Sequence, residues 1–150
     1  MAKFIYRMQN ILELKEKLEE QAKNEYSIAK ARVEEECEKL DAITRTKEEY
    51  ECRLRNQMNN RLVIADIRQS THAIKTLEFK QEEQQVMVLR AKKNVDIARG
   101  KMNLAMVERK TQEKLKENAF ELFKKELIEV ENKENDELVS FKYNKSNEEG

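Results

Sequence analysis

The sequence predicts an all-α fold: an elongated antiparallel two-helix coiled-coil hairpin whose C-terminal helix is the longer. Three observations carry this. The 150 residues include no proline and 2 glycines, while 40% are charged and 39% hydrophobic, the composition of long helices that bury a narrow stripe and leave the rest wet. Apolar residues recur at helical spacing along most of the chain. A cluster of asparagines then breaks that pattern well before its midpoint.

The first helix is expected from about 4 to 57. From Phe4 the apolar positions recur as Ile11, Leu14, Leu18, Ala22, Tyr26, Ala29, Val33, Cys37, Leu40 and Ile43, then Tyr50, Leu54 and Met58, with Lys47 in the one gap. Their mean spacing is about 3.6 residues, the pattern of a nearly straight, weakly supercoiled helix. The other faces carry Glu, Lys and Arg, with Glu13 and Lys17, Glu19 and Lys23, and Glu35 and Lys39 at the favourable i,i+4 spacing.

The turn is expected at about 58–62, within Asn56-Gln57-Met58-Asn59-Asn60-Arg61. Asparagine caps helices and tolerates left-handed backbone. A fold centred near residue 60 makes facing residue numbers add up to about 120, which sets Ala22 against Ala98 and Ala29 against Ala91 in a close-approach antiparallel seam.

The second helix is expected from about 63 to 138. Counted in sevens, Val88, Val95, Met102 and Phe123 share one seam position, and Ala91, Ala98, Ala105 and Ala119 share the other. Arg109, Gln112 and Lys116 interrupt that seam. Upstream, Gln81 and Gln84 take seam positions, where they are expected to face Leu40 and Glu36 and to set register rather than do chemistry. Gly100 is the one glycine inside either helix. The remainder, 139–150, is expected to be a flexible tail, so that 1–150 forms a single coiled-coil domain.

The unequal lengths have a consequence. Roughly 20 residues of helix two, a projection of ~30 Å at 1.5 Å per residue, run past the start of helix one. This overhang carries Phe120, Leu122, Phe123, Leu127, Ile128 and Val130. An apolar helix face with nothing of its own chain to cover it points to another protein.

Several function classes are excluded. Thirty basic and thirty acidic residues leave a formal net charge of zero, and the interspersed signs argue against nucleic acid or anionic lipid as partner. No run reaches the roughly 20 apolar residues of a membrane span, and the opening residues lack a signal-peptide core. Cys37 and Cys52, about 22 Å apart along one helix, suit neither a disulfide nor a thiolate zinc site. With His72 the one histidine and no phosphate loop, HExxH or nucleophile motif present, neither an enzyme nor a cofactor-binding protein is expected.

Both termini carry a resemblance. Residues 4–31, FIYRMQNILELKEKLEEQAKNEYSIAKA, and 108–138, ERKTQEKLKENAFELFKKELIEVENKENDEL, resemble the ends of the flagellar export protein FliJ family. The resemblance implies a coiled coil similar to the γ subunit of rotary ATPases. It implies a cytoplasmic place at the inner-membrane face of the flagellar base, and as partners the hexameric flagellar export ATPase, the export gate protein FlhA and export chaperones. By the rotary analogy the ATPase ring is met by Phe4, Tyr6, Arg7, Glu108, Arg109, Lys110, Lys114, Phe120, Phe123 and Leu127. The gate is left to Tyr50, Ile74 and Leu77. The alternatives are the stalk of a virulence-type secretion system, a free coiled-coil chaperone or scaffold, and a homodimeric structural coiled coil.

Overall fold

The computed structural model describes residues 2–149. It contains two α-helices, α1 (Gln9–Asn59) and α2 (Ile64–Glu148), paired as an antiparallel hairpin with the second helix the longer. Among the described residues there is no strand, and no helix is long and apolar enough to cross a membrane. The helices group into two compact units, one joining Met1–Glu19 to Ala105–Gly150 and the other Glu20–Leu104.

Residues 2–8 are not helical, although the apolar pattern starts at Phe4. The Met8 carbonyl opens α1 by accepting from the Ile11 and Leu12 amides, both at 3.0 Å. At the other end α2 continues to Glu148, beyond the ~138 at which the apolar pattern fades. Residues 139–148 contain neither proline nor glycine, so the backbone hydrogen bonds propagate there without a covered face.

The connection is Asn60 to Val63. No described non-glycine residue has positive φ, so the asparagines do not act through left-handed backbone. The Asn60 amide instead closes the last turn of α1 on the Asn56 carbonyl at 3.1 Å, and the Ile67 amide opens α2 on the Val63 carbonyl at 3.1 Å.

In the unit Glu20–Leu104 the covered side chains of α1 include Ala22, Tyr26, Ala29, Val33, Glu36, Leu40, Ile43, Lys47, Tyr50, Leu54 and Gln57, a set in unbroken alternating steps of four and three, with Cys37, Thr44, Thr46 and Glu51 half-buried beside it. The facing set on α2 has the same rhythm, including Ser70, Ile74, Leu77, Gln81, Gln84, Val88, Ala91 and Val95. Both strands thus hold the 3.5-residue repeat of a left-handed coiled coil. The 3.6 mean spacing expected for α1 is set by its end points Ile11 and Met58; the inward residues at those ends are Leu12 and Gln57, which bring the mean to about 3.5. Glu36 and Gln57 are the side chains turned inward, because each has a hydrogen-bonding partner on α2.

These partners fix the register. Gln84 Nε2 donates to Glu36 Oε2 at 2.5 Å and to its carbonyl at 2.9 Å. Gln81 Nε2 donates to Thr44 Oγ1 at 3.1 Å and its Oε1 accepts from Lys47 at 3.4 Å. Ser70 Oγ donates to Gln57 Oε1 at 3.0 Å. Gln84 meets Glu36 as expected, whereas Gln81 sits about a turn from Leu40 and the facing numbers centre near 125 rather than 120. Ala29 and Ala91, expected to face each other, do line one groove together with Ile28 and Met87.

Two predictions arise here. A Cβ at Gly100 would meet nothing within 4 Å, so Gly100→Ala should stabilise the chain by about 0.5–1 kcal/mol, read as a higher thermal midpoint by circular dichroism. Glu36 is held below the usual glutamate range mainly by the Gln84 hydrogen bond, against the opposing effect of burial and with help from Lys39 and Arg32. A carboxylate depressed in the folded state gives stability that is present above its unfolded pKa and lost as pH falls through the folded one. Stability should therefore drop on acidification below the ordinary glutamate value, and Glu36→Gln should remove that part of the drop in urea titrations.

Candidate functional site

The unit joining Met1–Glu19 to Ala105–Gly150 holds every residue expected to meet an ATPase ring. Its packing begins with three rings. Phe4, on the segment before α1, stacks edge-on to Phe120 with centroids 5.1 Å apart and lies 5.4 Å from Phe123. The extended segment thus covers α2 for some turns beyond the first residue of α1. Leu12 is buried at 3% exposure and shares with Phe4 and Phe120 the floor of a groove of about 620 Å³. The groove is rimmed by Glu16, Lys110, Glu113, Lys114 and Glu117.

Next to these rings the seam is ionic. Glu19, 4% exposed, accepts a hydrogen bond from Arg109 Nε, and Arg109 also donates from Nη1 to Glu113 at 2.8 Å. Glu19 first, then Glu113, hold the Arg109 guanidinium more firmly in its charged form. Lys15 bonds Glu108 at 3.0 Å. Arg109, which interrupts the apolar count on α2, is therefore the inward partner of a charge on α1 that the apolar count passed over. Continuing the strict alternation of four and three backwards from Ala22 gives Glu19, Lys15 and Leu12, the residues that face inward. Ile11, Leu14 and Leu18, assigned to the seam by their apolarity, are 39%, 53% and 40% exposed.

Tyr6 is half-buried, and its Oη has no hydrogen-bond partner among the described residues; the same holds for Gln112 Oε1. Arg7, Lys110 and Lys114 are exposed, with Lys114 bonded to Glu117 at 3.0 Å. Phe123 and Leu127 are half-buried, and after Leu127 every residue of α2, from Ile128 to Glu148, is exposed. That run includes Ile128, Val130, Leu138, Val139, Phe141 and Tyr143.

A family model described as Flagellar FliJ protein matches residues 4–148, from the ring of Phe4 to the end of α2. The chain belongs to the FliJ family. As a FliJ-family protein it is a component of flagellar type III protein export, a coiled coil of the flagellum's protein-transport machinery. No curated protein and no solved structure matches it.

Elsewhere in this FliJ-family chain, the residues expected at the gate lie in the unit Glu20–Leu104. Tyr50, Ile74 and Leu77 are all half-buried at inward positions of the seam, and the Arg53 guanidinium lies 5.0 Å from the Tyr50 ring centroid. The apolar side chains of α2 that face outward in that unit include Phe79, Val86 and Leu89. They escape a search for seam residues because they lie on the other side of the helix. Their spacings of seven and three are the signal that could have found them.

Proposed function

We propose that this FliJ-family chain is the non-enzymatic stalk of the flagellar export ATPase. It binds the hexameric ring, promotes its assembly and turnover, and links it to the export gate protein FlhA and to export chaperones at the cytoplasmic face of the inner membrane. The observation that carries this reading is the length of α2 left uncovered after Leu127. A helix of about 20 residues, some 30 Å long, with exposed apolar side chains has the dimensions to enter a protein ring. The adjoining Phe4, Phe120 and Phe123 cluster gives that helix a rigid base. Arg7, Lys110 and Lys114, all exposed, supply charges for the ring's inner edge, with Glu108 and Arg109 beside them tied to Lys15 and Glu19.

The gate contact is assigned to the stretch of Tyr50, Ile74 and Leu77. Since these three serve the seam, Phe79 and Val86 are the side chains with free surface there. Phe79→Ala is expected to weaken FlhA binding about tenfold, the loss typical of an aromatic anchor, with helicity unchanged; equal affinity in calorimetry removes this assignment. The stalk reading is tested by adding the full chain to the purified export ATPase. A shift toward hexamer in sedimentation velocity with a severalfold rise in ATP turnover is expected, and no change in either rejects it.

A further inference from the structure

We infer that the uncovered stretch of α2 after Leu127 docks a partner helix or groove whose apolar face is rimmed by lysine and arginine. The inference rests on the reading of this stretch as a binding element and adds the chemistry of what it binds. The face covered in the preceding turns, through Phe123 and Leu127, continues at steps of three and four into Val130, Glu134, Leu138 and Phe141. Val130, Leu138 and Phe141 are 52%, 58% and 66% exposed, so this is a coiled-coil seam without its second strand.

The charge around that seam is predominantly acidic as far as Phe141, with Lys142 and Lys145 beyond it. Glu131 lies on one flank and Glu137 on the other, with Glu134 in the middle, and Glu129 and Asp136 add to the field. Lys133 is the one basic residue from Ile128 to Phe141. This contrasts with the balanced, interspersed charge of the whole chain. A second copy of this chain is a poor occupant. An antiparallel self-pairing that matches Val130 with Leu138 puts Glu134 against its own copy and Glu131 against Glu137. Like charges placed directly opposite in a partly desolvated seam repel. Lysines and arginines bordering leucine-type side chains satisfy both halves of the face: the stripe loses its water and each glutamate gains a counter-charge.

The test uses the full chain and two labelled 21-residue helical peptides with the same leucine seam, one flanked by lysines and one by glutamates, followed by fluorescence anisotropy. The lysine peptide is expected to bind at least about tenfold tighter at low salt, with the advantage shrinking as salt is raised. Glu131→Lys/Glu134→Lys/Glu137→Lys should reverse the preference, and Leu138→Ser/Phe141→Ser should lower binding of the lysine peptide to the level of the glutamate one. Both variants alter exposed positions and should keep wild-type helicity. A control, Glu34→Lys/Glu35→Lys/Glu38→Lys on α1, should leave the preference intact.

Equal binding of the two peptides overturns the inference. So does a preference that follows the α1 control rather than the α2 variants, or dimerisation of the chain alone that Leu138→Ser/Phe141→Ser abolishes. If the lysine peptide binds as described while the export ATPase ignores the chain, the stalk reading fails and this inference stands. If the ATPase responds but the peptide preference is absent, the reverse holds.

Discussion

A chain ending at Ile128 is expected to keep its helical hairpin and its thermal midpoint, within about 0.5 kcal/mol of stability, and to lose its stimulation of the export ATPase entirely. The cut follows from where the internal contacts stop. Phe4 packs on Phe120 and Phe123 and Leu127 is half-buried, whereas each described residue after it is exposed. A cut at Phe120 would remove the rings that Phe4 rests on and would confuse folding with function. The comparison is made by circular dichroism melts of both chains, sedimentation velocity of the ATPase with each, and turnover. Stimulation equal to that of the full chain would take the uncovered helix out of the mechanism. The predicted separation of stability from activity is large because the deleted stretch contributes surface for a partner and almost none to the core.

The hairpin itself was legible in the sequence because its cause is periodic. Val88 through Ala105 keep a strict heptad, and the helix that carries them continues through the polar breaks at Arg109, Gln112 and Lys116, which stay on the inward face. What was not legible was the seam of α1 before Ala22. Apolarity selects Ile11, Leu14 and Leu18 there, but the supercoil selects Leu12, Lys15 and Glu19. The deciding quantity is a cross-helix pairing, Glu19 to Arg109 and Lys15 to Glu108. No property of either residue alone encodes it. The register was misplaced for the same reason. Matching alanine to alanine uses side-chain size alone, whereas the polar contacts of Gln81, Gln84 and Ser70 fix the offset. The candidate site followed the same division. Phe120 and Phe123, expected in an overhang without a partner in the chain, are covered by Phe4, because the segment before α1 packs on α2 without being helical, and the outward Phe79, Val86 and Leu89 lie off the stripe that the seam count follows.

Glu19→Ala is expected to be among the most damaging single changes to the fold, costing about 2 kcal/mol in urea unfolding. Loss of one member of a fully buried pair costs more, about 3–5 kcal/mol. The smaller figure applies because Arg109 keeps Glu113 and reaches some solvent. Leu12→Ala should cost a similar amount, about 2–3 kcal/mol, the lower part of the range for buried leucine in so narrow a core. The two mechanisms separate in the double replacement Glu19→Leu/Arg109→Leu. It exchanges a desolvated ion pair for apolar contact at the same seam positions, so the melting temperature should return to the wild-type value or exceed it. What the leucines give up is the specificity of the offset, since a heptad slip sets the leucine at position 19 against Met102 and the one at 109 against Leu12, about as well packed as before. A cysteine pair placed to crosslink only the native register should then close less completely in the double variant than in the native background. Complete closure with the raised melting temperature would show that the ion pair is dispensable for register, leaving that role to Gln84 and Glu36.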